Sequence, residues 1–290
     1  MTTKRMNIIL FIMPTMLLFL VVYGAALVIL FFSSLTKWTI GIKPVFIGLQ
    51  NYIQLFTDDR VFRISLVNTL IWILLQSTIH VAIGITLALI LNKKEFYWKF
   101  TRTVFMIPNI ISGAAIGMLF VCILSPEVGA VNNLIRLLGF RDFSVNWFMD
   151  YSTAFLAVTM TWLPYAALTT ILVLAEIAAI PESIFEAARI DGSGEFQMNL
   201  HIVLPMLKNI IGTCVIICAT SMVQKLDIIA VTTGGGPGST TMNLPMYIYR
   251  TALIDNNFGY ANTVGFFLVM LGIVVVLAIQ RLFRMGESNF

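Results

Sequence analysis

Charge is scarce in this chain of 290 residues: Asp, Glu, Lys and Arg together make up 11%, where a soluble domain carries about 25%. With 59% hydrophobic residues and a mean hydropathy of +0.92, a water-soluble globule is excluded and a polytopic membrane protein is expected. Cysteine is nearly absent. Cys122, Cys214 and Cys218 all fall in apolar stretches, so they indicate neither a disulfide framework nor a metal cluster and read as small packing residues. Only two histidines occur, His80 and His201, with no His/Glu pair at metal-ligand spacing; a membrane metalloenzyme is unsupported. No G-x-x-x-x-G-K-[S/T] phosphate loop is present, so the chain has no recognisable cradle of its own for ATP. Gly234-Gly235-Gly236 before Pro237 follows no strand and reads as a turn. The net charge of +4 suits basic helix ends facing anionic lipid head groups and gives no sign of nucleic acid.

What the chain does have is long apolar runs. About 20 apolar residues cross a bilayer as a helix, because the backbone must satisfy its own hydrogen bonds where water is missing. Six segments qualify, at about 7–32, 62–91, 104–124, 153–175, 210–231 and 261–279. An all-α fold with six transmembrane helices is therefore expected, 1–290 forming one membrane domain. The first run is too long for a signal-peptide core and reads as a retained helix. Pro14 and Pro164 fall inside runs and are expected to kink their helices without ending them.

Orientation follows from Lys and Arg near helix ends. An inside amino terminus places Lys4, Arg5, Lys93, Lys94, Lys99, Arg102, Arg189, Lys208, Arg281 and Arg284 in the cytosol. Lys37, Lys43, Arg60, Arg63, Arg136, Arg141 and Arg250 then lie outside, over longer loops. With six spans both termini are cytosolic, and so is the loop 177–207.

That loop interrupts the apolar pattern. From Glu182 to Ile190 it has no Gly or Pro, carries Ala187, Ala188 and Arg189, and has an acidic residue in its first turn; a short helix along the membrane is expected. Gly192 and Gly194 end it, and Pro205 marks the return to the bilayer. Ile184, Ala187 and Ala188 share a face at i, i+3 and i+4, small enough for close approach by a partner surface. Glu186 stands beside that face, within reach of a partner's Arg or Lys.

Glu186-Ala187-Ala188 with Gly192, followed after nine residues by Ile202-x-Leu204-Pro205, resembles the signature of bacterial ABC-importer permease subunits, E-A-A-x-x-x-G then I-x-L-P. All seven specified positions match. The resemblance implies a type I importer permease fold in a bacterial plasma membrane. The loop becomes a coupling helix docked on a separate ATPase, so Glu186, Ala187, Ala188, Asp191, Gly192, Ile202, Leu204 and Pro205 become coupling residues. Glu186 would meet basic residues of the ATPase, Gly192 supply the turn and Pro205 orient the next helix. No catalytic residue and no cofactor are expected in this chain, ATP and magnesium belonging to two partner ATPase subunits. A second, homologous permease and an extracellular sugar-binding protein complete the implied assembly.

Trp162-Leu163-Pro164, Ile180-Pro181-Glu182, Thr233-Gly234-Gly235-Gly236-Pro237 and Tyr247-Ile248-Tyr249-Arg250 are similar to the carbohydrate branch, the maltose-permease-like subunits, as are Gly48-Leu49-Gln50-Asn51-Tyr52 and Asn68-Thr69. An oligosaccharide cargo is implied. By the same resemblance the fifth helix lines the sugar path with Cys218, Ser221, Met222 and Lys225, which share one face at i, i+3, i+4 and i+7. Tyr165 and Leu168 are further path candidates, the tyrosine by stacking on a sugar ring. Asn68 and Gln76 are polar candidates that interhelical hydrogen bonding explains as well. His80 either lines a polar path or bonds a neighbouring helix. Lys225 departs from the uncharged polar residue of a maltose-like site. It either meets a sugar carboxylate, or snorkels to the interface, or pairs with Asp227 or an acid of the second permease.

Other readings have specific requirements. A permease for a non-sugar solute such as a glycerol phosphate would share the coupling loop. A secondary carrier would need intramembrane coupling acids and internal repeats, but Asp227 is the one acid well inside an expected span, and the last three runs do not repeat the first three.

Overall fold

The computed structural model describes residues 2–92, 100, 103–104, 107 and 110–283, with side chains from Ile9 onward. Lys93, Lys94, Lys99, Arg102 and Arg284, and the side chains of Lys4 and Arg5, lie outside the described residues.

Among the described residues three helices are long and apolar enough to cross a bilayer: Ile9–Ser34, Arg60–Leu91 and Phe258–Phe283. Two bent pairs, Ala167–Ala179 with Glu182–Ile190 at 75° and Glu195–Met206 with Lys208–Val223 at 70°, raise the number to five if each is one span. Six continuous spans were expected; two of them differ for local reasons, and a third, 104–124, is only partly within the described residues. In the 104–124 run the described helix covers Gly113–Ile123. Around Pro164 the helix Ala154–Met160 ends, and a new one starts only at Ala167. Proline lacks the amide proton a helix needs, so here it separates two helices where a kink was expected. In the 210–231 run the helix Lys208–Val223 stops and Asp227–Thr232 begins after a three-residue break. Pro14, by contrast, lies inside the continuous helix Thr2–Phe19. The all-α expectation needs one small amendment: Thr36–Lys37 pairs antiparallel with Val45–Phe46.

The packing divides into two compact units, Met1–Phe62 with Tyr247–Met270, and Arg63–Met246 with Leu271–Phe290. In the first, the Asp59 carboxylate collects two phenolic hydroxyls: Tyr247 donates to it at 2.5 Å and Tyr260 at 2.6 Å. Burial, then the bond to Asp59 and its charge, hold the Tyr247 hydroxyl above the ordinary tyrosine range, so it stays a donor. Asn51 donates to the carbonyls of Ser34 and Thr36, and Thr263 to that of Ser34. Phe56, Phe62 and Phe267 pack edge to face around this polar knot.

In the second unit, Val81–Leu91 lies against Ala167–Ala179 at very short range. A Cβ on Gly84 would fall 2.6 Å from Thr169 Cβ, and Thr170 Oγ1 donates to the Gly84 carbonyl at 3.1 Å. This is the small-residue contact by which helices approach in a membrane, where lipid leaves packing as the main attraction. Val81, Ala88, Val173, Ile177, Val203, Leu207 and Cys214 form the core behind it. Trp72 is fully buried, stacks on Phe155 at 4.9 Å and donates through Nε1 to Thr159 Oγ1 at 2.8 Å.

Candidate functional site

The loop helix runs from Glu182 to Ile190, over the residues expected. Ile180, forced toward extended geometry by the following proline, has ψ 126° and ends the preceding helix. Glu182 and Arg189 sit in the first and last turns, each charge opposing the dipole end it faces. At the far end Gly192 has φ +79°. Its amide donates to the Arg189 carbonyl and that of Ser193 to the Ala188 carbonyl, at 3.1 and 3.0 Å, the two bonds of a Schellman stop.

Glu186, Ala187, Asp191 and Gly192 are exposed. Ala188 is not. It is buried within the chain and Ile184 is half-buried, so the face expected to await a partner is in part turned inward. Ile190, 86% exposed, and Phe196, 78% exposed, offer apolar surface instead. Phe185 packs on the core that also holds Ile177, Val203 and Leu207, so the loop helix and the helices on either side of it share one apolar cluster. Ile202 and Leu204 are half-buried, Pro205 is exposed within a short helical turn, and the chain bends at Leu207. The return to the membrane direction thus comes two residues after the proline.

Elsewhere in this unit, Tyr165, Leu168, Cys218, Ser221 and Lys225 line one cavity of about 270 Å³. Met222 does not; it is fully buried in the core. The helix ends at Val223, and Lys225 reaches the cavity from the irregular backbone beyond, its carbonyl held by Asn243 Nδ2 at 2.6 Å. The half-buried Lys225 ammonium lies 5.9 Å over the Trp162 ring, within cation–π range.

His80 lines the cavity and also bonds its neighbour, Nδ1 to the Leu163 carbonyl at 2.9 Å. A carbonyl only accepts, so Nδ1 carries the proton. Gln76 is a wall residue too, whereas Asn68 is elsewhere: it donates to the Thr240 and Met242 carbonyls and fastens the glycine turn. That turn has positive φ at Gly234, Gly235 and Gly238, as a turn requires. Trp162 and Asp227 complete the polar wall. Sequence reasoning named neither as a path residue, although an aromatic two residues before a helix-breaking proline was the available signal for the first.

Residues 80–286 match the model of the binding-protein-dependent transport system inner membrane component family. The chain belongs to that family. Among its relatives, the probable ABC transporter permease YurN of Bacillus subtilis is 31% identical, with 97% of both chains covered. The multiple sugar-binding transport system permease MsmF of Streptococcus mutans is 31% identical over 86% of each. A solved chain of a bacterial ABC transporter involved in import of the acidic polysaccharide alginate superposes with a TM-score of 0.84 at 24% identity, covering 99% of this chain and 98% of that one. The superposition shows the fold, a mostly helical one of the type I importer permease class with several apolar helices; membership of the family makes the chain a membrane transport component.

Proposed function

We propose that this permease imports an oligosaccharide, handed over by an extracellular sugar-binding protein, and is driven by a pair of ATPase subunits, one of which docks on its Glu182–Ile190 helix. A second, homologous permease completes the pathway. ATP and magnesium reside on the ATPases. One observation carries the reading. The signature residues Glu186, Ala187, Asp191 and Gly192 are presented outward on a capped helix whose inner side, through Phe185, belongs to the same apolar cluster as Cys214 and Cys218 of the helix that leads to the cavity. Packed cores transmit displacement because they have no slack. Movement imposed on the loop helix by closing ATPases is passed to both flanking helices, and access switches between the two sides as in other rigid-body transitions. ATP drives the switch by favouring one state through differential contacts.

The sugar assignment draws on MsmF, a multiple sugar-binding transport permease, and on the cavity itself, where Trp162 and Tyr165 supply aromatic faces beside polar groups. The cytosolic ends are both chain termini and the 177–207 loop.

Coupling is tested by tagging the chain, expressing it with its neighbouring genes and measuring co-purified ATPase and ATP-dependent uptake. Glu186→Lys reverses the charge of an exposed residue, so the fold is expected to persist while ATPase recovery and uptake fall at least tenfold. An unchanged yield of ATPase with Glu186→Lys removes Glu186 from the docking surface, and its absence from the wild-type preparation rejects the importer reading.

A further inference from the structure

The structure assigns the Lys225 cavity to a carboxylate of the cargo: we infer that this permease carries uronate-containing oligosaccharides. The inference rests on the sugar-importer reading above and specifies its substrate class.

One charge in the cavity is left over. Two ionic side chains line it, Lys225 and Asp227. Asp227 has neighbours that satisfy a negative charge. Its Oδ1 accepts from the Ile228 amide at 2.9 Å. Its Oδ2 lies where a Cβ on Gly113 would be, 1.9 Å from that position; the lack of a side chain there lets the carboxylate rest on the first turn of the helix Gly113–Ile123, the positive end of its dipole. Lys225 has no such arrangement. Among the described residues it forms no ion pair; its ammonium is held over the Trp162 ring and feels Asp227 only through longer-range attraction. An aromatic face orients a cation without consuming its hydrogen-bond donors, so the ammonium remains able to donate to an anion.

A second observation points to a ligand in the same cavity. Gln76 is 6% exposed and lines the same cavity, and among the described residues its Oε1 has no hydrogen-bond partner. Buried polar atoms are nearly always paired, and an amide oxygen can only accept. It calls for a hydroxyl donor. A cation, an acceptor and the Trp162 and Tyr165 rings together complement the carboxylate, the hydroxyls and the apolar C–H face of a uronate. A neutral hexose offers the last two, but its hydroxyls leave the charge of the ammonium uncompensated, whereas a carboxylate both accepts its hydrogen bond and neutralises it.

The experiment uses the complete transporter in membrane vesicles, with its binding protein and ATPases. The probes are di- and trisaccharides of galacturonate, glucuronate, mannuronate and guluronate, the same compounds as methyl esters, and maltotriose. Expected is ATP-dependent uptake of at least one uronate, with its ester taken up at least tenfold less. Lys225→Met should abolish that preference, lowering uronate uptake about tenfold or more while sparing the ester, and Lys225→Arg should restore it. ATPase co-purification with each variant monitors folding. Uptake of maltotriose or the esters alone, or equal losses for acid and ester in Lys225→Met, overturns the carboxylate assignment and leaves the sugar reading standing. Absence of ATP-dependent uptake for every probe overturns both.

Discussion

Gly84 shows how much a single missing methyl group carries here. Its Cβ would lie 2.6 Å from two carbons of Thr169 and 3.2 Å from the Ala166 carbonyl oxygen, so any side chain has to push the helices Val81–Leu91 and Ala167–Ala179 apart. Overpacking of this kind costs about 1–3 kcal/mol. Gly84→Val should therefore lower the thermal unfolding temperature of the purified transporter by several degrees, and Thr169→Gly in the same chain should recover part of the loss. Full additivity of the two changes would show that they do not meet. The sequence displayed a glycine in an apolar run but not the partner it makes room for, since 85 positions separate the two residues (169 minus 84). The cavity was legible on the same terms. Tyr165, Leu168, Cys218, Ser221 and Lys225 could be proposed from periodicity and resemblance along expected spans, although Tyr165 and Lys225 lie on irregular backbone outside the helices. Met222, named with them, lies in the core and not on the cavity, because spacing alone does not say which edge of a helical face is core. Asp227 was noticed for its charge. Its role as a wall depends on Gly113, a distant residue with no chemistry to advertise.

At the scale of elements, the breaks matter more than the helices. Prolines and glycines told correctly where the loop helix begins and stops, because Pro181 and Gly192 act on their immediate neighbours. The same local reasoning missed the break at Gln224–Leu226, which contains neither residue type. That break is stabilised from afar, by Asn243 holding the Lys225 carbonyl. The segment that supplies Asn243 is in turn fixed by Asn68, whose Nδ2 donates at 2.9 and 2.8 Å to the carbonyls of Thr240 and Met242, and by Thr69, whose Oγ1 accepts from the Leu244 amide. Asn68→Ala leaves those two carbonyls without their donor. The expected cost is about 1–3 kcal/mol, seen as faster amide hydrogen exchange across 233–246 while the core around Val173 and Leu207 keeps its protection. Uniform acceleration throughout the chain would mean that Asn68 stabilises the whole unit and not this element.

For the whole molecule, composition alone established membrane character, since 59% hydrophobic residues cannot be hidden inside a chain this size. The number of spans was harder to read. Counting apolar residues assumes that each run is one straight helix, and the runs around Pro164 and Gln224 are each two helices. Sidedness follows from the loop: if ATPases dock on Glu182–Ile190, residues on it and just beyond are cytosolic. A single cysteine at the exposed Gln197, placed in a chain whose Cys122, Cys214 and Cys218 are serine, should react with a membrane-impermeant maleimide in inside-out vesicles and not in intact cells. A cysteine at exposed Leu137, in the segment between the third and fourth apolar runs, should show the reverse. Labelling of both from the same side would refute the topology.

The helix Lys208–Val223 begins just past the signature and ends two residues before Lys225. On the proposed function its two ends answer to different readers, an engine at one and a cargo at the other, with about four turns between them. Selection for a new nutrient can then rewrite the far end without disturbing the near one. Descendants of such a chain are free to diversify in diet while continuing to share a common ATPase, and a hybrid that exchanges only the residues after Ile217 should inherit its donor's appetite and keep its host's motor.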